Sequence, residues 1–267
     1  MRPTEREAWA LVERHVRPGE DSPTSFYDKK RIAMCVAPVL EGPHRVVVEV
    51  GSGYGGTTQC LSRMDGVETA VGVDADRTLI LKSLRPGYPA GYLLANAEKG
   101  LPFRTASVDA LIVSEVYEHL FHPDAFFEEA RRIVKPGGRL VLTTPNTESL
   151  VLLFLRRIPR RWAQRILTRE AEYRKYLHPE FFGDTMADSV HGHRVEGAGL
   201  REMEALARRF GFRPLRGATW GLPFSMAFWG RLPGGLRRAL MGRFHSLAVG
   251  LRHIVVVWER EGGAGVG

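Results

Sequence analysis

The chain has 267 residues, enough for one large domain or two small ones, and its 44% hydrophobic and 25% charged residues are those of a soluble globular protein. No run approaches the roughly 18 consecutive apolar residues that a membrane helix needs, and the two cysteines, Cys35 and Cys60, lack metal-type spacing and read as buried thiols of a reducing compartment. The net charge of +8 fits either an acidic partner or a solvated basic surface. The first residues, Met1 to Glu7, carry no apolar signal core, so the expected location is cytoplasmic.

In chain order, Trp9, Val12 and Val16 fall at helical spacing over residues 4–16, ahead of Pro18-Gly19. A second helix is expected over 27–40, with Ile32, Ala33, Val36 and Leu40 on one side. Both precede the first strand and are expected to form a cap over the glycine-rich turn at 51–56, with Tyr27, Lys29 and Arg31 read as surface residues sooner than ligand contacts. Val46–Val50 then runs as a strand into Gly51-Ser52-Gly53-Tyr54-Gly55-Gly56, and a helix is expected over 57–64. Strand, glycine turn and helix open a nucleotide-type α/β unit: the glycines permit positive φ and close approach of a ligand, and the N–H groups of the helix start favour an anion. The spacing serves dinucleotides (Gly51, Gly53, Gly56) and S-adenosylmethionine (Gly51, Gly53, Gly55) equally.

Thr69–Asp74 is a second strand, residues 79–84 a helix before Pro86-Gly87, and Tyr92–Ala95 a short third strand. A fourth strand is expected over Val108–Val113. A helix over 123–134 starts with Pro123 in its first turn and is expected to be closed by Lys135-Pro136-Gly137-Gly138. Arg139–Thr144 is a fifth strand, a helix is expected over 199–210, a sixth strand near 213–219 and a last one over His253–Trp258. The alternation predicts a doubly wound α/β sheet whose ligands bind beyond the carboxyl ends of the strands. Glu49, Asp74, Asn96, Ser114-Glu115 and Thr144 all stand at those ends.

Six pieces in register resemble the class I S-adenosylmethionine-dependent methyltransferases: Val48-Glu49-Val50-Gly51-Ser52-Gly53-Tyr54-Gly55, Gly72-Val73-Asp74, Asn96-Ala97-Glu98 with Leu101-Pro102-Phe103, Ser107-Val108-Asp109, Glu115-Val116-Tyr117-Glu118-His119, and Val134-Lys135-Pro136-Gly137-Gly138 running to Thr144-Pro145-Asn146. The resemblance covers about residues 45–147, and more loosely 190–258. It implies a Rossmann-like seven-stranded sheet with its last strand antiparallel, and S-adenosylmethionine as cofactor. It also implies one domain made of a helical cap (1–45), a cofactor-binding core (46–147), a basic helical insertion or lid (148–198), the C-terminal part of the core (199–261) and a disordered tail (262–267).

Residue by residue, the resemblance sets Gly51, Gly53 and Gly55 against the methionine part of the cofactor, with Glu49 beneath them. Asp74, followed by Ala75, would take the ribose hydroxyls, and Asn96 and Ala97 the adenine. Ser114 and Glu115 would line the sulfonium side. The family usually has aspartate at the position of Asn96, so the charge-assisted contact to adenine is expected to be weaker here.

Methyl transfer is an in-line displacement that needs placement and, for a neutral hydroxyl, removal of a proton. Among His119, His122, His178, His191 and His193, the first and last are the preferred bases, His119 because it comes just after the fourth strand. Glu115, Glu118, His119 and His193 fit a pattern found in relatives that hold a divalent metal beside the acceptor and in relatives that use none, so the metal is left open. The acceptor is expected to be a small molecule with a hydroxyl oxygen, with no nucleic acid favoured. The arginines at 156, 157, 160 and 161 are expected to face an anionic acceptor or, through residues 150–170, a membrane surface, with an ordinary solvated basic face the equal alternative. A nicotinamide-dependent dehydrogenase and a cofactor-free adaptor on a membrane or polyanion are the alternatives.

Overall fold

The computed structural model describes residues 3–15, 23–84, 89–149, 153–154, 156–169, 198–220, 232–233, 235–236 and 253–262. Seven strands form one sheet: β1 (Val46–Val50), β2 (Thr69–Asp74), β3 (Ala90–Leu94), β4 (Val108–Ser114), β5 (Val134–Pro145), β6 (Phe212–Trp220) and β7 (His253–Arg260). Their order is β3-β2-β1-β4-β5-β7-β6. β1 to β5 pair in parallel, and β7 lies antiparallel between β5 and β6. This is the expected doubly wound sheet. The order reverses at β1 and β4, so the crevice beyond their carboxyl ends is where such folds receive ligands.

Both faces of the sheet are covered. Helices α1 (Pro3–His15), α2 (Pro23–Val36) and α3 (Gly56–Leu61) lie on one side, where Ala8, Val12, Ile32, Val36, Cys60 and Leu61 meet Val47, Ile112, Val141 and Val255. The other side receives α5 (Pro123–Ile133) and α7 (Leu200–Arg209); there Phe126, Phe127, Met203 and Ala207 meet Val48, Leu111, Leu140 and Trp258. α4 (Arg77–Ser83) joins β2 to β3. Because each central strand buries both faces, β1 and β4 read as nearly unbroken apolar runs, as parallel strands do. α5 is held by an aromatic cluster in which Phe127 stacks on Phe210 at 5.3 Å and tilts against Trp258 at 5.8 Å.

One expectation needs correcting. Lys135 to Gly138 do not close α5; the helix stops at Ile133, and Val134 already pairs with Val108 in the sheet. Lys135 precedes a proline, which disfavours helical backbone, and residues 135–138 bulge out of β5 until Arg139 pairs with Ala110. The bulge is pinned by Lys135 Nζ, 2.6 Å from Asp109 Oδ1, whose other oxygen accepts the N–H groups of Arg45 and Val46.

The insertion leaves and rejoins the core at one point, since Asn146 bridges to Ala198 and Ala198 N–H donates to Pro145 O at 3.1 Å. Within it, α6 (Arg160–Arg169) buries Ala163 and exposes Arg160, Arg161, Trp162 and Arg165. Among the described residues no helix is long and apolar enough to cross a membrane. The expected tail falls almost wholly outside the described residues, as do Pro18-Gly19, Pro86-Gly87, His178, His191 and the proposed base His193.

Candidate active site

Beyond β1 the chain turns sharply at Gly51, Gly53 and Gly55, with φ of 73°, 52° and 78°. At Gly51 the close approach is also steric: a Cβ there would lie 2.2 Å from Cγ2 of Val116, so the turn after β4 rests directly on the glycine loop. Gly53 is the opposite case, with open space where its Cβ would be. The loop is fastened to β2 by its main chain, Gly51 and Ser52 N–H donating to Val73 O at 2.8 and 3.0 Å.

Two carboxylates complete this half of the crevice. Glu49 lies buried beneath the loop and accepts Thr58 N–H at 2.8 Å, together with the Thr58 hydroxyl. Burial pushes its carboxyl up to about 7, partly offset by the threonine hydrogen bonds and Arg31. The expectation that free N–H groups of the loop helix await an anion therefore changes: α3 has six residues, and Thr58 N–H is committed to Glu49. Asp74, at the end of β2, accepts Gly53 N–H on Oδ2 at 2.8 Å and Asp76 N–H on Oδ1 at 2.9 Å. Each of its oxygens keeps a second lone pair, beside the open side of Gly53. Ala75 is exposed next to it.

From β3, Tyr92 crosses Gly72 and donates to Gly55 O at 3.4 Å, propping the loop. Asn96 is exposed at the mouth and Ala97 buried. Asn96 Oδ1 accepts Glu98 N–H at 2.9 Å, so one lone pair of that carbonyl is left for a ligand. The cradle fits an adenosyl group: open backbone at Gly53, a ready carboxylate at Asp74 and an exposed amide at Asn96.

The β4 end is built differently. The Ser114 hydroxyl is buried, accepting from Arg31 Nη1 at 2.6 Å and sharing a 3.1 Å hydrogen bond with Thr143. It is turned into the layer under α2 and does not front the crevice as the resemblance implied. Glu115 comes next with φ of 54°, left-handed backbone that costs a non-glycine residue about 1–3 kcal/mol unless its surroundings hold it. Its Oε2 lies 2.9 Å from Nδ1 of His253 at the start of β7. Burial alone would raise its carboxyl, but His253 and then Arg31 hold it low, at about 2. Trp220 of β6 packs its ring against His253, centroids 5.1 Å apart.

Glu118 turns to the opposite face, where it is buried and accepts from Thr144 Oγ1 at 3.0 Å. Burial and the charge of Glu115 raise its carboxyl well above the usual range. His119 is half-buried in the same short turn, Tyr117–His119. Among the described residues no group of three or more His, Cys, Asp or Glu side chains is placed to hold a metal. Arg31 is the residue that sequence reasoning misplaced, and His253 and Thr143 the ones it passed over. Nothing local marks them, because their partners come from distant segments.

Residues 48–142 match the sequence model of a family described as "Methyltransferase domain". They are a class I S-adenosylmethionine-dependent methyltransferase domain. The chain containing this domain is similar to the ubiquinone biosynthesis O-methyltransferase of Xylella fastidiosa, 27% identical over 156 residues, which are 57% of this chain and 60% of the relative. The chain thus spans well under the whole length of that curated relative. In fold the methyltransferase domain and its additions resemble the Haloferax volcanii protein solved in complex with the Trm112 methyltransferase activator (TM-score 0.55, 16% identity, 97% of this chain and 98% of that one). They also resemble an S-adenosylmethionine-dependent methyltransferase of Aquifex aeolicus (TM-score 0.51, 17% identity, 83% and 87%). The nicotinamide-dependent reading gives way to the methyltransferase one.

Proposed function

We propose that the protein transfers a methyl group from S-adenosylmethionine to a hydroxyl oxygen of a small-molecule acceptor. The observation that carries the reading is Asp74, lashed by Gly53 and Asp76 N–H groups beside the open face of the glycine loop, with a lone pair left on each oxygen. S-adenosylmethionine, when bound, supplies a methyl group already made electrophilic by its sulfonium. The chain's own tasks are to hold and to aim. Gly51, Gly53 and Gly55 bring main chain to the methionine part, and Glu49 keeps their turn in shape. Asp74 accepts from the ribose hydroxyls, with Ala75 alongside; Asn96 and Ala97 receive the adenine edge, Asn96 through its remaining lone pair. Glu115 shapes the wall next to the reacting centre. Ser114 contributes through Arg31 and Thr143, without touching the cofactor.

Oxygen as the acceptor atom is favoured by the O-methyltransferase relative, and the corresponding acceptor class is a phenolic hydroxyl of a quinone precursor. His119 takes the hydroxyl proton as attack proceeds, with His193 the second base. The five domain parts keep their boundaries in this reading: cap 1–45, core 46–147, insertion 148–198, C-terminal part 199–261 and tail 262–267. The exposed arginines of α6 draw an anionic acceptor to the mouth. The test is direct: calorimetry with S-adenosylhomocysteine, then transfer of labelled methyl to a panel of catechols and hydroquinones. Absence of S-adenosylhomocysteine binding would end the reading, and methyl transfer to amines alone would end its oxygen half.

A further inference from the structure

From the contacts around the β4 end we infer that His253 is a positioning residue for the cofactor pocket, acting through Glu115 and Val116. The inference rests on the methyltransferase reading and extends it to β7, on the far side of the sheet. Four observations carry it. Glu115 stands in left-handed backbone, a conformation that persists only where its neighbours fix it. Its carboxylate lies 2.9 Å from the His253 imidazole, and its N–H donates to Thr143 O at 3.0 Å. The next residue, Val116, sits on Gly51 so closely that a Cβ there would be 2.2 Å away. His253 in turn is fixed by its pairing with Pro145 and Trp220 and by the Trp220 ring at 5.1 Å.

The physical chain is therefore continuous. β7 holds His253, His253 holds Glu115, Glu115 sets the backbone of the turn, and the turn presses Val116 onto the first glycine of the loop. The groups charged or titratable around the pair are Arg31 from α2, which faces Glu115 and Ser114, and behind Arg31 the side chains of Glu49, Asp28 and Cys35. Glu118, from the same turn, is kept protonated toward higher pH by burial and then by the charge of Glu115. β5 and β6 present Thr143, Pro145 and Trp220 to the pair, none of them ionisable near neutrality. Arg31 already partners Glu115 electrostatically. Losing the imidazole thus frees the carboxylate to swing toward Arg31, and the left-handed turn loses its anchor on the β7 side.

The experiment measures S-adenosylhomocysteine affinity by calorimetry in the full chain. His253→Ala should weaken binding about tenfold, within the range of coupled neighbours. His253→Asn, which keeps a hydrogen-bond donor without a charge, should recover part of that loss. In the double variant with Glu115→Gln, the two losses should not add, because both break one link. Arg213→Ala, which removes a surface ion pair with Glu259 on the same strands, should leave affinity unchanged. Wild-type affinity in both His253 variants, or additive losses in the double variant, overturns the inference while leaving the methyltransferase reading standing. A wild-type chain that binds no S-adenosylhomocysteine overturns the reading itself.

Discussion

Around β1 and β2 the crevice is held by main-chain N–H groups donating to two carboxylates, Glu49 and Asp74, all within a stretch of the chain from β1 to α4. Around β4, β5 and β7 it is held by side chains drawn from far apart: Arg31 reaches Ser114 across 83 positions, and His253 meets Glu115 from half a chain away. The first half is a local motif that any sequence with the same turn would reproduce. The second is an assembly that exists only once the sheet and its cap have closed. A fold can thus keep the cofactor half constant and vary the other half freely.

The difference can be broken from either side. The largest effect should come from His119→Ala, which on the proposed reading costs about 100- to 10,000-fold in turnover with S-adenosylhomocysteine affinity intact. Activity that survives full chelation in the wild type and disappears in this variant would assign the proton to the imidazole. Next in size, Arg31→Met strips a guanidinium from a buried set that includes Glu115 and Glu49. Denaturant unfolding should show a loss of about 3 kcal/mol, the scale of breaking a buried pair. Asp74→Ala acts on the local half, and calorimetry should show about 1.5–3 kcal/mol less cofactor affinity, the scale of hydrogen bonds to a charged group. Stability should change much less than in Arg31→Met. If Asp74→Ala unfolded the protein and Arg31→Met did not, the contrast between the halves would be inverted.

The last effect is in pH, and it is comparable in size. Glu49 sits at about 7 in the folded chain against 4.5 for the free side chain, so the folded state binds the extra proton. Its contribution is full below about pH 4.5 and is lost as pH rises through 7, on the order of 3 kcal/mol. Glu115, held at about 2, acts oppositely: its contribution is full above 4.5 and is lost as pH falls toward 2. Unfolding curves of Glu49→Gln should lack the decline between pH 4.5 and 7 and keep the acid limb.

Legibility in the sequence divides along the same line. The central strands β1 and β4 announce themselves because they are buried on both faces, and Asp74 and the glycine loop because turn and carboxylate are neighbours in sequence. The start of β5 misleads because Pro-Gly-Gly after a helix is also the grammar of a helix stop; only pairing of Val134 with Val108 reveals a bulge. Arg31 reads as a surface residue since helix α2 gives no local sign of what it packs against. Ser114 reads as a crevice residue by its place at a strand end, yet strand alternation turns its hydroxyl toward α2.

The antiparallel placement of β7 has a consequence for how the molecule comes into being. β6 is made before β7 yet, among the described strands, pairs with β7 alone, and β5 offers its open edge to the same strand. On the ribosome both edges wait for a segment still unmade, guarded meanwhile by Pro214 and the arginines at 213 and 216. The loop that would greet the cofactor can form early, but its far wall arrives with His253. A nascent chain can therefore own the motif of a methyltransferase well before it owns the pocket, and commitment to binding comes with late synthesis.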